Sequence, residues 1–157
     1  SRRQRQMCIR DRVIAFSSMY GHTEQMADTI GRFLAEQGVK KIRIHDTSKT
    51  HPSYIINDIF RYKGVILGSC AYNGGIFPTM ETLLCELENM GIKNHLLAYF
   101  GNKTWGGGAI PRLKAFAEKM KWEVVAEPNE ALGAMKSSDI EQCKAIAQAM
   151  AEKIKKS

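Results

Sequence analysis

The chain has 157 residues, of which 44% are hydrophobic and 25% charged, enough for one domain with a sizeable core and too few for two comfortable ones. No apolar run approaches the roughly 18 residues that a membrane span needs, so a membrane partner is not expected. The formal charge of +7 would suit nucleic acid, but four arginines and one aspartate lie in SRRQRQMCIRD, so the first eleven residues carry +3 and leave +4 for the rest.

Residues 1–11 are expected to form a disordered basic leader. They lack the apolar stretch of a secretory signal and are too polar to pack. They also resemble the read-through of a sequencing adaptor, which would make them non-native and put the natural start further upstream. No stripe of arginines with interleaved aromatics occurs elsewhere, so nucleic acid is not an expected partner. Cys8, Cys70, Cys85 and Cys143 are scattered singly, without a CxxC pair or a Cys/His cluster at metal-ligand spacing, which points to reducing cytoplasm and to no bound metal.

From residue 12 to residue 157 a single domain is expected. RVIAFSS, KKIRIHD, GVILGSC, HLLAYFG and WEVVAEP read in turn as strands. Helical stripes alternate with them. Met26, Ile30, Phe33 and Leu34 share one helical face, and a shorter helix near Ser53 to Phe60, signalled by Pro52 and Ser53, carries Ile55, Ile56, Ile59 and Phe60. Further along, Met80, Leu83, Leu84, Leu87 and Met90 form a third stripe, and Ile110, Leu113, Phe116, Ala117 and Met120 a fourth. Ile140, Cys143, Ile146, Ala147, Met150 and Ile154 form the last. Strand and helix alternating five times predict an α/β fold: a doubly wound, five-stranded parallel sheet with right-handed crossovers and helices on both faces.

In such a sheet ligands sit at the carboxyl ends of the strands. For strand order 2-1-3-4-5 the loops after the first, third and fourth strands are neighbours there. The first, within SSMYGHTEQMA, feeds a helix amino terminus, whose unpaired amides and positive dipole end suit an anion, and Ser18 and Thr23 add hydroxyls. Neither GxxxxGK[ST] nor GxGxxG is present, so a single terminal monophosphate fits better than a triphosphate or a pyrophosphate. The competing use of Thr23 is as a helix cap, with Glu24 and Gln25 assisting in the first turn. In the other two loops Tyr72 and Trp105 lie in glycine-rich bends, and two such aromatics suit stacking on a planar ring. Their alternative is a pair of partly covered surface aromatics.

SSMYGHTEQMA, DTSKTHPS, GSCAYNGGIFP and FGNKTWGGGAIPRL, in that order, resemble the flavodoxin-like domain of the A-type flavoproteins, the diiron flavoproteins that reduce oxygen or nitric oxide. The resemblance runs from Arg12 to about Ile154. It implies that Ser18, Met19, Tyr20, Gly21, His22 and Thr23 hold the phosphate of flavin mononucleotide (FMN). Ser69, Cys70, Ala71, Tyr72, Asn73, Gly74 and Gly75, with Gly101, Asn102, Lys103, Trp105, Gly106 and Gly107, would frame the isoalloxazine ring. His22 stands where asparagine is usual, and Cys70-Ala71 depart from the usual proline or serine then threonine, which leaves no hydroxyl at position 71. The Asn73-Gly74-Gly75 segment is expected to reorient its peptides cheaply when the ring takes up a proton, since glycine tolerates positive φ, letting the domain pass electrons singly. Cys70 reads as a small filler, and no insertion is expected to split the fifth strand.

His45, His51 and His95 are isolated and no HxExD or HxH cluster occurs, so the diiron site of the full-length family is not expected in this chain. The resemblance therefore implies an electron-transfer domain, with no catalytic residues of its own, that works with a diiron domain in cis or in a partner subunit of a homodimer. Its donor would be a rubredoxin or a reductase. Two other readings stay open: a standalone NAD(P)H-dependent FMN quinone or azo reductase, marked by turnover of the isolated chain, and a flavin-free regulatory or nucleic-acid-binding module, marked by salt-sensitive DNA binding without pigment.

Overall fold

A computed structural model describes residues 8–17, 21–39, 41–72, 75–92, 95–103, 109–132 and 135–156. The elements run β1 (Cys8–Ser17), α1 (His22–Glu36), β2 (Ile42–Asp46), α2 (Pro52–Arg61), β3 (Tyr62–Tyr72), β4 (Gly75–Ile76), α3 (Pro78–Met90), β5 (Leu96–Lys103), α4 (Ala109–Met120), β6 (Glu123–Val124), β7 (Asn129–Leu132) and α5 (Ser137–Lys156). The sheet order is β2-β1-β3-β5-β6, with β7 also parallel to β5 and β4 antiparallel to β3. With the short β4 set aside and β6 and β7 counted as one broken strand, this is the expected 2-1-3-4-5 parallel order.

Three boundaries differ from the sequence reading. β1 starts at Cys8 rather than Arg12, with Cys8 opposite Tyr62 on β3 and a register shift before Arg12. The WEVVAEP strand is only Glu123–Val124, and pairing with β5 resumes at Asn129–Leu132, a piece the periodicity does not reveal. Four residues, 125–128, separate the two pieces. Tyr72 pairs with Gly75 and Ala71 with Ile76, so β3 and β4 form an antiparallel hairpin that the periodicity does not reveal.

The alternation along each central strand divides the core in two. Val13, Ala15, Val65, Leu67, Leu97 and Tyr99 meet Ile55, Ile59, Leu83, Leu87, Leu113 and Phe116 of α2, α3 and α4. On the other face Ile14, Phe16, Ile66, Ala98 and Phe100 meet Met26, Ile30, Leu34, Ile146 and Met150 of α1 and α5. Each fully buried Ile or Leu there stabilises the fold by about 1.5–3 kcal/mol. Phe60, Met90 and Ile140, counted in the apolar stripes, are exposed instead, because they sit near helix ends and periodicity does not say how far the sheet extends beneath a helix.

Gly64 opens the GVILGSC run, lies inside β3 and makes room there for an unexpected neighbour. Arg12 is fully buried, its Nη2 donating to Met150 O at 3.1 Å, and a Cβ on Gly64 would stand 1.9 Å from Arg12 Cδ. Gly38 and Gly91 do end helices, with φ of 93° and 65°.

Candidate functional site

At the carboxyl edge of the sheet Ser17, Ser69 and Gly101 are register partners on β1, β3 and β5, so the three loops singled out in the sequence leave the sheet side by side. Ser18, Met19, Tyr20, Asn73, Gly74, Trp105, Gly106 and Gly107 lie outside the described residues, and Tyr72 and Lys103 are described through their backbone alone. The structure brings Gly21, His22, Thr23, Ser69, Cys70, Ala71, Gly75, Gly101 and Asn102 to this edge. Of these, Ser69, Cys70 and Asn102 are buried.

The start of α1 is built for something other than its own helix. Gly21 is the N-cap residue, at φ 87° and ψ −9°, and contributes no side-chain cap. That left-handed backbone is one glycine adopts freely, and a Cβ would meet nothing within 4 Å, so the requirement is conformational rather than steric. Thr23 follows two positions later and is 1% exposed, yet its Oγ1 has no hydrogen-bond partner among the described residues. His22 Nδ1 is likewise buried and without a partner there. The capping role open to Thr23 in the sequence is thus not the one it plays.

A buried hydroxyl without a partner costs about 1–3 kcal/mol, and the first-turn amides of a helix add further unmet donors. Oxygen atoms of an anion would satisfy both. A phosphate, with several acceptor oxygens and negative charge at the positive end of the helix dipole, fits this donor set.

The other histidines have structural partners. His45 Nε2 pairs with Asp58 Oδ2 at 2.6 Å, His51 Nδ1 accepts from Ser53 N as the cap of α2, and His95 Nε2 donates to Ile59 O at 2.6 Å while stacking on Trp122. Among the described residues no group of three His, Cys, Asp or Glu side chains could hold a metal ion. Nor is any helix of the described residues long and apolar enough to cross a membrane.

Ser17, Thr47 and Thr79, none of them among the residues expected to contact a ligand, form a group of hydroxyls beside the first and second loops. Ser17 Oγ hydrogen-bonds Thr47 Oγ1; Thr47 Oγ1 lies 2.7 Å from Thr79 Oγ1, and Ser17 Oγ lies 3.3 Å from Thr79 Oγ1. Ser69 Oγ donates to Cys70 O at 2.9 Å and accepts from Phe77 N at 3.2 Å, holding the residue that caps α3. The available signal for Ser17 was positional: it ends the apolar run of β1, where a hydroxyl is out of keeping with the residues before it. Thr47 and Thr79 gave none.

Beside this edge Arg112 of α4 donates through Nη2 to Glu81 Oε2 at 2.7 Å and through Nη1 to Glu88 Oε2 at 3.2 Å, both on α3. Hydrogen bonding to Arg112 holds the Glu81 carboxyl below its ordinary value, and the same bonds hold the guanidinium above its own. The bridge joins the two helices that follow the second and third loops.

The Flavodoxin family model matches residues 14–146. The chain belongs to the flavodoxin family. The chain is 28% identical over 116 residues to the anaerobic nitric oxide reductase flavorubredoxin of Escherichia coli, a match covering 73% of the chain and 24% of that relative. It therefore spans about a quarter of the length of the curated relatives it matches. Rubredoxin:oxygen oxidoreductase from Desulfovibrio gigas superposes with a TM-score of 0.91 at 26% identity, over 96% of this chain and 37% of that one. Oxidised flavodoxin 1 from Bacillus cereus shares the fold at TM-score 0.77 and 23% identity, over 90% of this chain and 97% of its own. The chain is thus homologous to the flavodoxin-like part of longer flavorubredoxin and flavodiiron proteins and shares its fold with free flavodoxins.

Proposed function

We propose that this chain binds FMN and transfers electrons, as the flavodoxin-like part of a diiron flavoprotein that reduces oxygen or nitric oxide. The observation that carries the reading is the Thr23 hydroxyl, buried at the start of a helix capped by glycine and left without a partner among the described residues. A phosphate monoester would satisfy it together with the first-turn amides. Similarity to the E. coli nitric oxide reductase flavorubredoxin and the D. gigas rubredoxin:oxygen oxidoreductase supports the wider role.

In this reading the loop of Ser18 to Thr23 grips the phosphate, while Ser69 to Gly75 and Gly101 to Gly107 flank the ring, with Tyr72 and Trp105 as stacking side chains. When bound, FMN supplies the one-electron and two-electron redox chemistry. The chain's own part is to hold, orient and shield it. A rubredoxin or a reductase would be the donor, and a diiron domain, in cis or in the partner subunit of a homodimer, the acceptor.

Titrating the apoprotein with FMN while following flavin fluorescence tests the core of this reading. Saturation at one FMN per chain, with riboflavin binding more weakly for want of the phosphate, is the expected result. A folded protein that retains no FMN in excess ligand would overturn it, and turnover of a quinone or azo dye with NAD(P)H by the isolated chain would favour the standalone reductase instead.

A further inference from the structure

We propose that Ser17, Thr47 and Thr79 form a positioning lock that fixes the α1 start relative to the β3–β4 hairpin, so that one FMN molecule engages both ends together. The inference rests on the FMN reading above. It concerns residues two or more positions away from every proposed contact loop except at Ser17, which immediately precedes Ser18.

Three elements meet at the cluster. Ser17 is the last residue of β1 and fully buried, and the next described residues are Gly21 and the first turn of α1. Thr47 follows β2 and is itself pinned to β1, its N–H donating to Phe16 O at 2.9 Å. Thr79 lies in the first turn of α3, two residues after Phe77 and three after Ile76, which pairs with Ala71 across the hairpin. The hydroxyl contacts therefore connect the strand that leads into the proposed phosphate loop with the helix that leads out of the proposed ring loop.

The chemistry is unusual for a merely structural contact. Bonds between side chains are the minority in proteins, about 10–15% of all hydrogen bonds. Here three hydroxyls bond one another rather than nearby backbone. α3 receives no side-chain cap, so Thr79 is not spent on its own helix. Each hydroxyl has one proton to donate and lone pairs to accept, so a head-to-tail arrangement closes all three contacts. Apolar side chains at these places would pack without direction, whereas this triangle sets separations.

A lock of this kind matters most to a ligand that binds at two points. When both ends are already in register, engagement of the phosphate presents the ring to its loop at high effective concentration; when they are not, each end still binds alone but the gain is lost. FMN reads both ends and riboflavin reads only one.

The test compares FMN and riboflavin titrations of the wild-type protein with Thr79→Val, Thr47→Val and Thr79→Ser, alongside thermal unfolding of each apoprotein. Both valine variants are expected to weaken FMN by roughly tenfold while riboflavin stays within about twofold, and Thr79→Ser is expected to recover FMN binding. Two independent valine variants guard against one that does not fold. Equal losses for FMN and riboflavin would assign the cluster a purely structural role and overturn the lock, as would FMN affinity unchanged in both. A wild-type protein that binds neither flavin is a different failure, since it removes the FMN reading itself and the lock with it.

Discussion

The amino termini of α1 and α3 point toward the same edge of the sheet and are finished in opposite ways. At α3 the hydroxyls are occupied: Ser69 receives Phe77 N–H, and Thr79 is bonded to Thr47 and Ser17. At α1 the cap is a bare glycine, and Thr23 Oγ1 and His22 Nδ1 are buried without partners among the described residues. The difference separates polar groups that hold the protein together from polar groups held ready for something else. Buried donors are ordinarily satisfied, so a helix start that is not is the better marker of a ligand.

The contrast is broken most directly at Thr23. Thr23→Val removes a hydroxyl with no partner among the described residues, so apoprotein stability should hold or rise, whereas FMN affinity should fall about 10- to 100-fold, the scale of a hydrogen bond to a charged group. Calorimetry of the apoprotein and an FMN titration read the two effects separately; a loss of stability with unchanged affinity would reverse the assignment. Ser69→Ala should lower the stability of the apoprotein by about 1–2 kcal/mol because Ser69 Oγ no longer accepts from Phe77 N–H, as denaturant unfolding would show.

A smaller effect is expected at Gly21. Gly21→Ala meets no steric barrier, so its cost should be the conformational penalty of a left-handed residue, about 1 kcal/mol, and Gly21→Asn should recover part of it. An effect confined to alkaline pH lies across the sheet at Cys143, where burial pushes the thiol up to about 11. The folded protein keeps that proton where the unfolded chain releases it, so stability should be flat below pH 9.0 and fall as pH rises toward about 11. Cys143→Ala should abolish that alkaline slope in urea titrations, and a slope that persists would place its origin elsewhere.

Much of the architecture was legible in the residues. Ile14, Phe16, Val65 and Leu97 lie in apolar runs too short for helices, and the stripes around Met26, Leu83, Phe116 and Ile146 repeat at helical spacing, so strand and helix order followed from local periodicity. The candidate loops were legible because glycine and hydroxyl residues interrupt apolar strands just where a parallel sheet puts its ligands. The antiparallel pairing of β3 with β4 was not legible, because Gly75–Ile76 is too short for periodicity to register.

What sequence alone determined is the alternating α/β order, the parallel sheet and the three loops at its carboxyl edge, because hydrophobic period and turn chemistry are local properties. Only the tertiary structure decided that Gly64 yields space to a buried Arg12, that Thr47 and Thr79 meet Ser17 across 30 and 62 positions of chain, and that Thr23 is left without a partner among the described residues. Those outcomes depend on which side chains arrive beside one another after the sheet assembles. Hydrogen-bond satisfaction is a property of that assembled neighbourhood and of no single stretch of chain.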